Sequence, residues 1–125
     1  MDWYYPVLGG ALEGDAAKLQ LTSRWDEFVQ DEAGCRCVAH QPWATIAESA
    51  ELVMACLRAG MHAQAAALMN WQDQWTDETG AYWMGWQFEQ RALWPMERPS
   101  WTQAAVILAT DALHQVTPAA SVLLD

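Results

Sequence analysis

Two stretches of this sequence, WDEFVQDEAG at residues 25 to 34 and WQDQWTDETG at residues 71 to 80, match at Trp25 and Trp71, Asp31 and Asp77, Glu32 and Glu78, and Gly34 and Gly80, all at an offset of 46. Downstream, Pro42, Thr45, Ala47 and Ala55 fall on Pro99, Thr102, Ala104 and Ala112 at an offset of 57, which places 11 extra residues of the second unit between 81 and 98. A period near 50 residues with two helices per unit predicts a helical array, because one such unit cannot bury its apolar face alone. Each unit reads as an outer helix, an acidic turn closed by Gly, a loop, a Pro and an inner helix, with the units near 25–57 and 71–114.

Glycines and prolines at Gly9, Gly10, Gly14, Gly34, Pro42, Gly60, Gly80, Gly85, Pro95, Pro99 and Pro118 divide the chain into segments that read as helices, and strand alternation is nearly absent. A short helix is expected over 3–12 and a second from about Asp15 to Gln30. The clearest begins near Pro42, carries Trp43, Ile46, Ala47, Ala50, Met54 and Leu57 at three- and four-residue spacing, and stops at Gly60. The next ends near Trp75, and so short a connection at Gly60 makes the two an antiparallel hairpin. Residues 76–99 read as a long aromatic loop. The helix that follows, with Ser100 as N-cap, is apolar on nearly every side and is expected in an inner layer.

At 125 residues the expectation is one domain, 1–125. The net charge of -10, with six basic residues of which no two adjoin, disfavours nucleic acid or an anionic membrane as partner. No run reaches the roughly 18 apolar residues of a membrane span. Three cysteines without a framework spacing point to a reducing, cytoplasmic setting. Nine tryptophans exceed what a core of this size needs, since each buries roughly 150–250 Å². Trp71 and Trp75 fit as packing residues of an outer helix, whereas Trp83 and Trp86, in the inserted loop, have no such reason.

LMNWQDQWTDETGAYW resembles the repeat motif of the α/α toroids of terpenoid cyclases and protein prenyltransferases. GCRCVAHQPWATIAESAEL, GAYWMGW and WPMERPSWTQAAVILATDAL resemble the C-terminal region of bacterial prenyltransferase-like proteins. The resemblance implies an all-α chain of consecutive antiparallel helix hairpins, about two and a half of them, forming an arc of an α/α toroid. It also implies an isoprenoid-handling enzyme with a hydrophobic small-molecule ligand, its open arc completed by self-association or by the rest of a longer chain. The DxDD motif with which cyclases of this kind protonate an alkene is absent.

Three constellations carry candidate chemistry. Glu48 and Glu51, near the N-terminus of the helix after Pro42, are a pair suited to general acid and base work on an alkene or a sugar. The plain alternative is that they solvate a helix end. Trp43, Tyr82, Trp83, Trp86 and Trp101, with Trp94 beside them, are expected to wall an apolar cavity, and such rings stack equally on sugars. Cys35, Cys37 and His40 offer zinc ligand types, but C-x-C-x-x-H lacks the usual spacing, so no metal and no cofactor is expected. Glu89 with Arg91, and Glu97 with Arg98, read as surface ion pairs. Two other functions fit the same residues: a carbohydrate-active toroid similar to six-hairpin glycosidases, using Glu48 or Glu51, and a non-enzymatic helical-repeat interaction module.

Overall fold

The computed structural model describes residues 1–125, and it is not all-α. Six helices are combined with five short strands in two small antiparallel sheets, which replaces the expected toroid arc with a mixed architecture. The chain begins with α1 (Tyr5–Leu8), α2 (Gly14–Ser23) and α3 (Trp25–Phe28), and the helix expected to run to Gln30 breaks at Arg24. Strands β1 (Val29–Gln30) and β2 (Gly34–Cys35) then form a hairpin around the first acidic turn. Strand β3 (Trp43–Thr45) leads into α4 (Ile46–Arg58), so the residues after Pro42 are extended rather than helical.

Helix α5 (His62–Gln72) follows a reversal at Gly60, whose φ of 72° lies in the left-handed region that glycine adopts without steric cost. One 3-10 turn, Asp73–Trp75, extends it. The stretch read as an aromatic loop contains β4 (Gly85–Gln87) and β5 (Ala92–Leu93), and β4 lies between β3 and β5. Helix α6 (Ser100–His114) completes the set.

Strand formation in 43–45 and 85–93 has a local cause. Aromatic residues favour a pleated, half-buried surface, and pairing sets Ala44 opposite Trp86 and Trp43 opposite Gln87. Directly opposed residues share a face and successive ones alternate, so Trp86 and Trp43 point to opposite sides of the sheet. The indole of Trp43 lies across Gly85, where any Cβ would overlap it.

Helix α4, not α6, is the inner element. It packs against α1, α5 and α6, and Ile46, Ser49, Ala50 and the run Leu52 to Leu57 are buried. Each large apolar side chain fully removed from water there contributes about 1.5–3 kcal/mol. Its half-exposed residues are Ala47, Glu48, Glu51 and Arg58, and the last three share one strip of the helix at three- and seven-residue spacing. Helix α6 buries Thr102, Val106, Ala109 and Ala112 but leaves Trp101, Ile107 and Leu108 exposed, contrary to the expectation that it is covered all round. No helix is long and apolar enough to cross a membrane.

Ser49 fastens the first hairpin to α4. Its hydroxyl donates to the Thr45 carbonyl at 2.6 Å and accepts from the Cys35 amide at 2.8 Å, in a fully buried position. Gln72 of α5 adds a bond of 3.3 Å to the Ala33 carbonyl. A Cβ on Gly34 would run into both Ser49 and Gln72, which is why this position is glycine.

Candidate functional site

The half-exposed strip of α4 is met by the aromatic N-terminal segment. Tyr4 is fully buried, and its hydroxyl donates to Glu51 Oε2 at 2.6 Å across 47 residues of sequence. Trp3 holds that segment in place: its ring stacks on Phe28 with centroids 5.2 Å apart, and its carbonyl accepts from Gln20 Nε2 at 2.8 Å. Burial, followed by the bond to Glu51, pushes the Tyr4 phenol far above its ordinary value. It therefore stays protonated and is a permanent donor to the carboxylate.

Tyr5 meets Tyr4 edge to face at 5.0 Å and is 40% exposed. Partial burial and then the Glu51 charge raise its phenol to about 12. Cys37 lies beside Glu48, its thiol raised to about 11 by burial and then by the charge of Glu48. The two carboxylates thus lie on one solvent-facing strip of a helix otherwise enclosed by protein, bordered by a phenol, a second aromatic ring and a thiol. Such a group can orient a carboxylate, present an aromatic face to a ligand and move a proton.

The zinc-type residues have a different setting. Burial raises Cys35 well above a normal thiol and takes Cys56 to about 12, so both stay protonated at neutral pH. His40 and Cys37 line a cleft of about 300 Å³ with Trp3, Arg24 and Phe28. No three His, Cys, Asp or Glu side chains come together in an arrangement that holds a metal ion.

The five rings expected to form one wall do not converge. Trp43 donates from Nε1 to the Trp94 carbonyl at 2.6 Å and meets the Trp94 ring at 5.3 Å. Trp86, on the other face of the sheet, stacks on Trp75 at 4.6 Å. The backbone of Tyr82 is clasped by the Gln103 amide, at 2.9 Å and 2.8 Å, and Trp83 lies under the Arg98 guanidinium at 5.1 Å. Trp101 is 59% exposed on α6. Only Trp86 lines a cleft, one of about 230 Å³ shared with Trp75, Phe88, Gln74, Arg91 and the first acidic turn. Arg98 pairs with Asp77 rather than with Glu97, and Glu89 and Arg91 form no ion pair.

The sequence does not mark Tyr4 and Tyr5 as site residues, nor Asp31, Glu32 and Gln74 around the cleft, and Arg91, expected in a surface ion pair with Glu89, lines the cleft instead. The three consecutive aromatics Trp3, Tyr4 and Tyr5 before Pro6 were the available signal for the first pair. The matched acidic turn was the signal for Asp31 and Glu32.

No protein-family model matches the chain. It is 47% identical over 122 residues, 94% of its length, to a Mycolicibacterium hassiacum protein named MMP endo-(1,4)-3-O-methyl-alpha-D-mannosidase. The chain spans 33% of that relative's length. The likeness overturns the resemblance to prenyltransferases and terpenoid cyclases, and with it the isoprenoid reading of the aromatic residues. A mannosidase is a sugar-cleaving enzyme, so the carbohydrate alternative drawn from the sequence fits this relative better.

Proposed function

We propose that this chain is a carbohydrate-handling part of an endo-acting mannosidase, whose substrate is an α-(1,4)-linked chain of 3-O-methylmannose units. The observation that carries the reading is the 47% identity to a protein of that name, extending over 94% of this chain. The geometry supports a place for the chemistry. Glycoside cleavage needs a carboxylic acid to protonate the departing oxygen and a carboxylate to activate water or attack the sugar carbon. Glu48 and Glu51 offer two such groups on one strip, Glu51 oriented by Tyr4 and Tyr5 presenting a ring on which a pyranose stacks.

The test is to incubate the protein with an α-(1,4)-linked 3-O-methylmannose oligosaccharide and follow the shorter products. Glu51→Gln, which keeps an oxygen for Tyr4 to bond, is expected to lower turnover by about 10²–10⁴-fold. Tyr4→Phe, which keeps the ring and removes the donor, is expected to lower it by about tenfold, the scale of a lost hydrogen bond to a charged group. Unchanged turnover in Glu51→Gln would remove this residue from the chemistry.

A further inference from the structure

The cleft between the two hairpins has no part in the carboxylate strip, and its composition is unusual for a protein of this charge. Its apolar side is the Trp75 and Trp86 stack with Phe88. Its polar side brings Asp31 and Glu32 from the turn between β1 and β2, Arg91 from the turn between β4 and β5, and Gln74 from the middle of the 3-10 turn.

These polar groups are exposed and have few protein partners, so they are available to a ligand. Arg91 and the two acids line the same hollow, yet none of them makes an ion pair or a side-chain hydrogen bond. The Trp86 indole N–H likewise has no protein acceptor, although Trp75 Nε1 beside it donates to the Ala33 carbonyl at 3.2 Å. Gln74 spends its amide N–H groups on the Glu32 and Trp71 carbonyls, at 2.6 Å and 2.8 Å, which fixes the side chain and leaves its own oxygen without a partner.

We propose that this cleft binds one hexopyranose unit of a neutral glycan. A pyranose presents a C–H face and a rim of vicinal hydroxyls, each both donor and acceptor. Stacked indoles suit the face, and the carboxylates, guanidinium and amide oxygen of the residues lining the hollow suit the hydroxyls. A phosphorylated or sulfated ligand is disfavoured, because one arginine faces two carboxylates within a chain of net charge -10. With about 230 Å³ available, the hollow admits a single ring rather than a long segment. A 3-O-methyl group adds an apolar contact for Phe88 or Trp86. This inference rests on the carbohydrate reading above, and it concerns holding the chain rather than cutting it.

The experiment is a titration of the ¹⁵N-labelled protein with an α-(1,4)-linked mannose oligosaccharide, with and without 3-O-methyl groups, following the Trp86 indole resonance. It is run in the wild type, in Arg91→Ala and Glu32→Gln, both at the rim, and in Asp15→Asn, exposed on α2 away from both the cleft and the carboxylate strip. The Trp86 signal is expected to move, both rim variants to weaken binding at least fivefold, and Asp15→Asn to bind as the wild type does. A Trp86 resonance that does not move, or affinity untouched in both rim variants, overturns the assignment. Hydrolysis together with rim-insensitive binding would sink the cleft alone. Rim-sensitive binding without hydrolysis would sustain the cleft and sink the catalytic reading.

Discussion

The two acidic turns carry the same residues at matching places, Asp31, Glu32 and Gly34 in one and Asp77, Glu78 and Gly80 in the other, but they put them to different uses. In the second, the Asp77 carboxylate accepts from the Thr79 amide at 2.8 Å, the Thr79 hydroxyl at 2.6 Å, the Ala81 amide at 3.1 Å and the Arg98 guanidinium. That turn satisfies itself, as short acidic side chains do when they bond to nearby backbone. In the first, Asp31 bonds to nothing, Glu32 sits at φ 64°, and the glycine is pressed against Ser49 and Gln72. Its structural support comes from below, through α4 and α5, and its acidic side chains are left facing the cleft. A repeated sequence pattern therefore specified a turn in both places without specifying which turn would be self-contained.

The sharpest way to break this comparison is at the paired glycines. Gly34→Ala must place a Cβ into two fully buried side chains at a φ of 133°, and is expected to cost about 3–5 kcal/mol in urea unfolding. Gly80→Ala has open space at φ 85° and should cost only the left-handed penalty, about 1–2 kcal/mol. Equal costs would mean that the first turn is not held from below.

A smaller effect should appear with acid. The Thr79 hydroxyl, Arg98 and the Thr79 and Ala81 amides hold the Asp77 carboxyl well below its usual range against a partial burial effect. A depressed folded value means stability that is complete above about pH 4 and is lost as pH falls towards the folded value. Asp77→Asn should accordingly flatten the fall of the unfolding midpoint below pH 4, and a variant with the wild-type acid profile would show that the bonds do not form. The smallest change expected is a gain. Glu32→Gly relieves a non-glycine residue of its left-handed φ, and thermal unfolding should show it more stable by about 0.5–1 kcal/mol.

The long helices were legible because their cause is local. Apolar residues at three- and four-residue spacing before Gly60 placed α4, and the segments from Gly60 to Trp75 and after Pro99 placed α5 and α6, to within a few residues of Ile46–Arg58, His62–Gln72 and Ser100–His114. The strands were not, because two or three residues are too few to show a period of two. What makes Trp86 a strand residue is its pairing with Ala44, 42 positions away. Glu48 and Glu51 could be singled out as a pair from their spacing, but Tyr4 could not be joined to Glu51 before the chain had folded. The expected aromatic wall is not assembled for a related reason: residue type cannot show which way a ring points, and only sheet register decides that Trp43 and Trp86 face apart. Reading α6 as an inner helix mistook an apolar composition for enclosure, a status that belongs to α4.

The enclosure of α4 reaches beyond its two carboxylates. Its amides are sheltered from one side by the N-terminal segment through Tyr4 and from another by α6, elements from nearly opposite ends of the chain. Their exchange with deuterated solvent should therefore require the whole protein to open, whereas the amides of α2, with Ala17 and Leu21 its only buried residues, can exchange through local fraying. Contacts between such distant parts of a chain also come at a loop-closure cost, so α4 should acquire its final protection late in refolding.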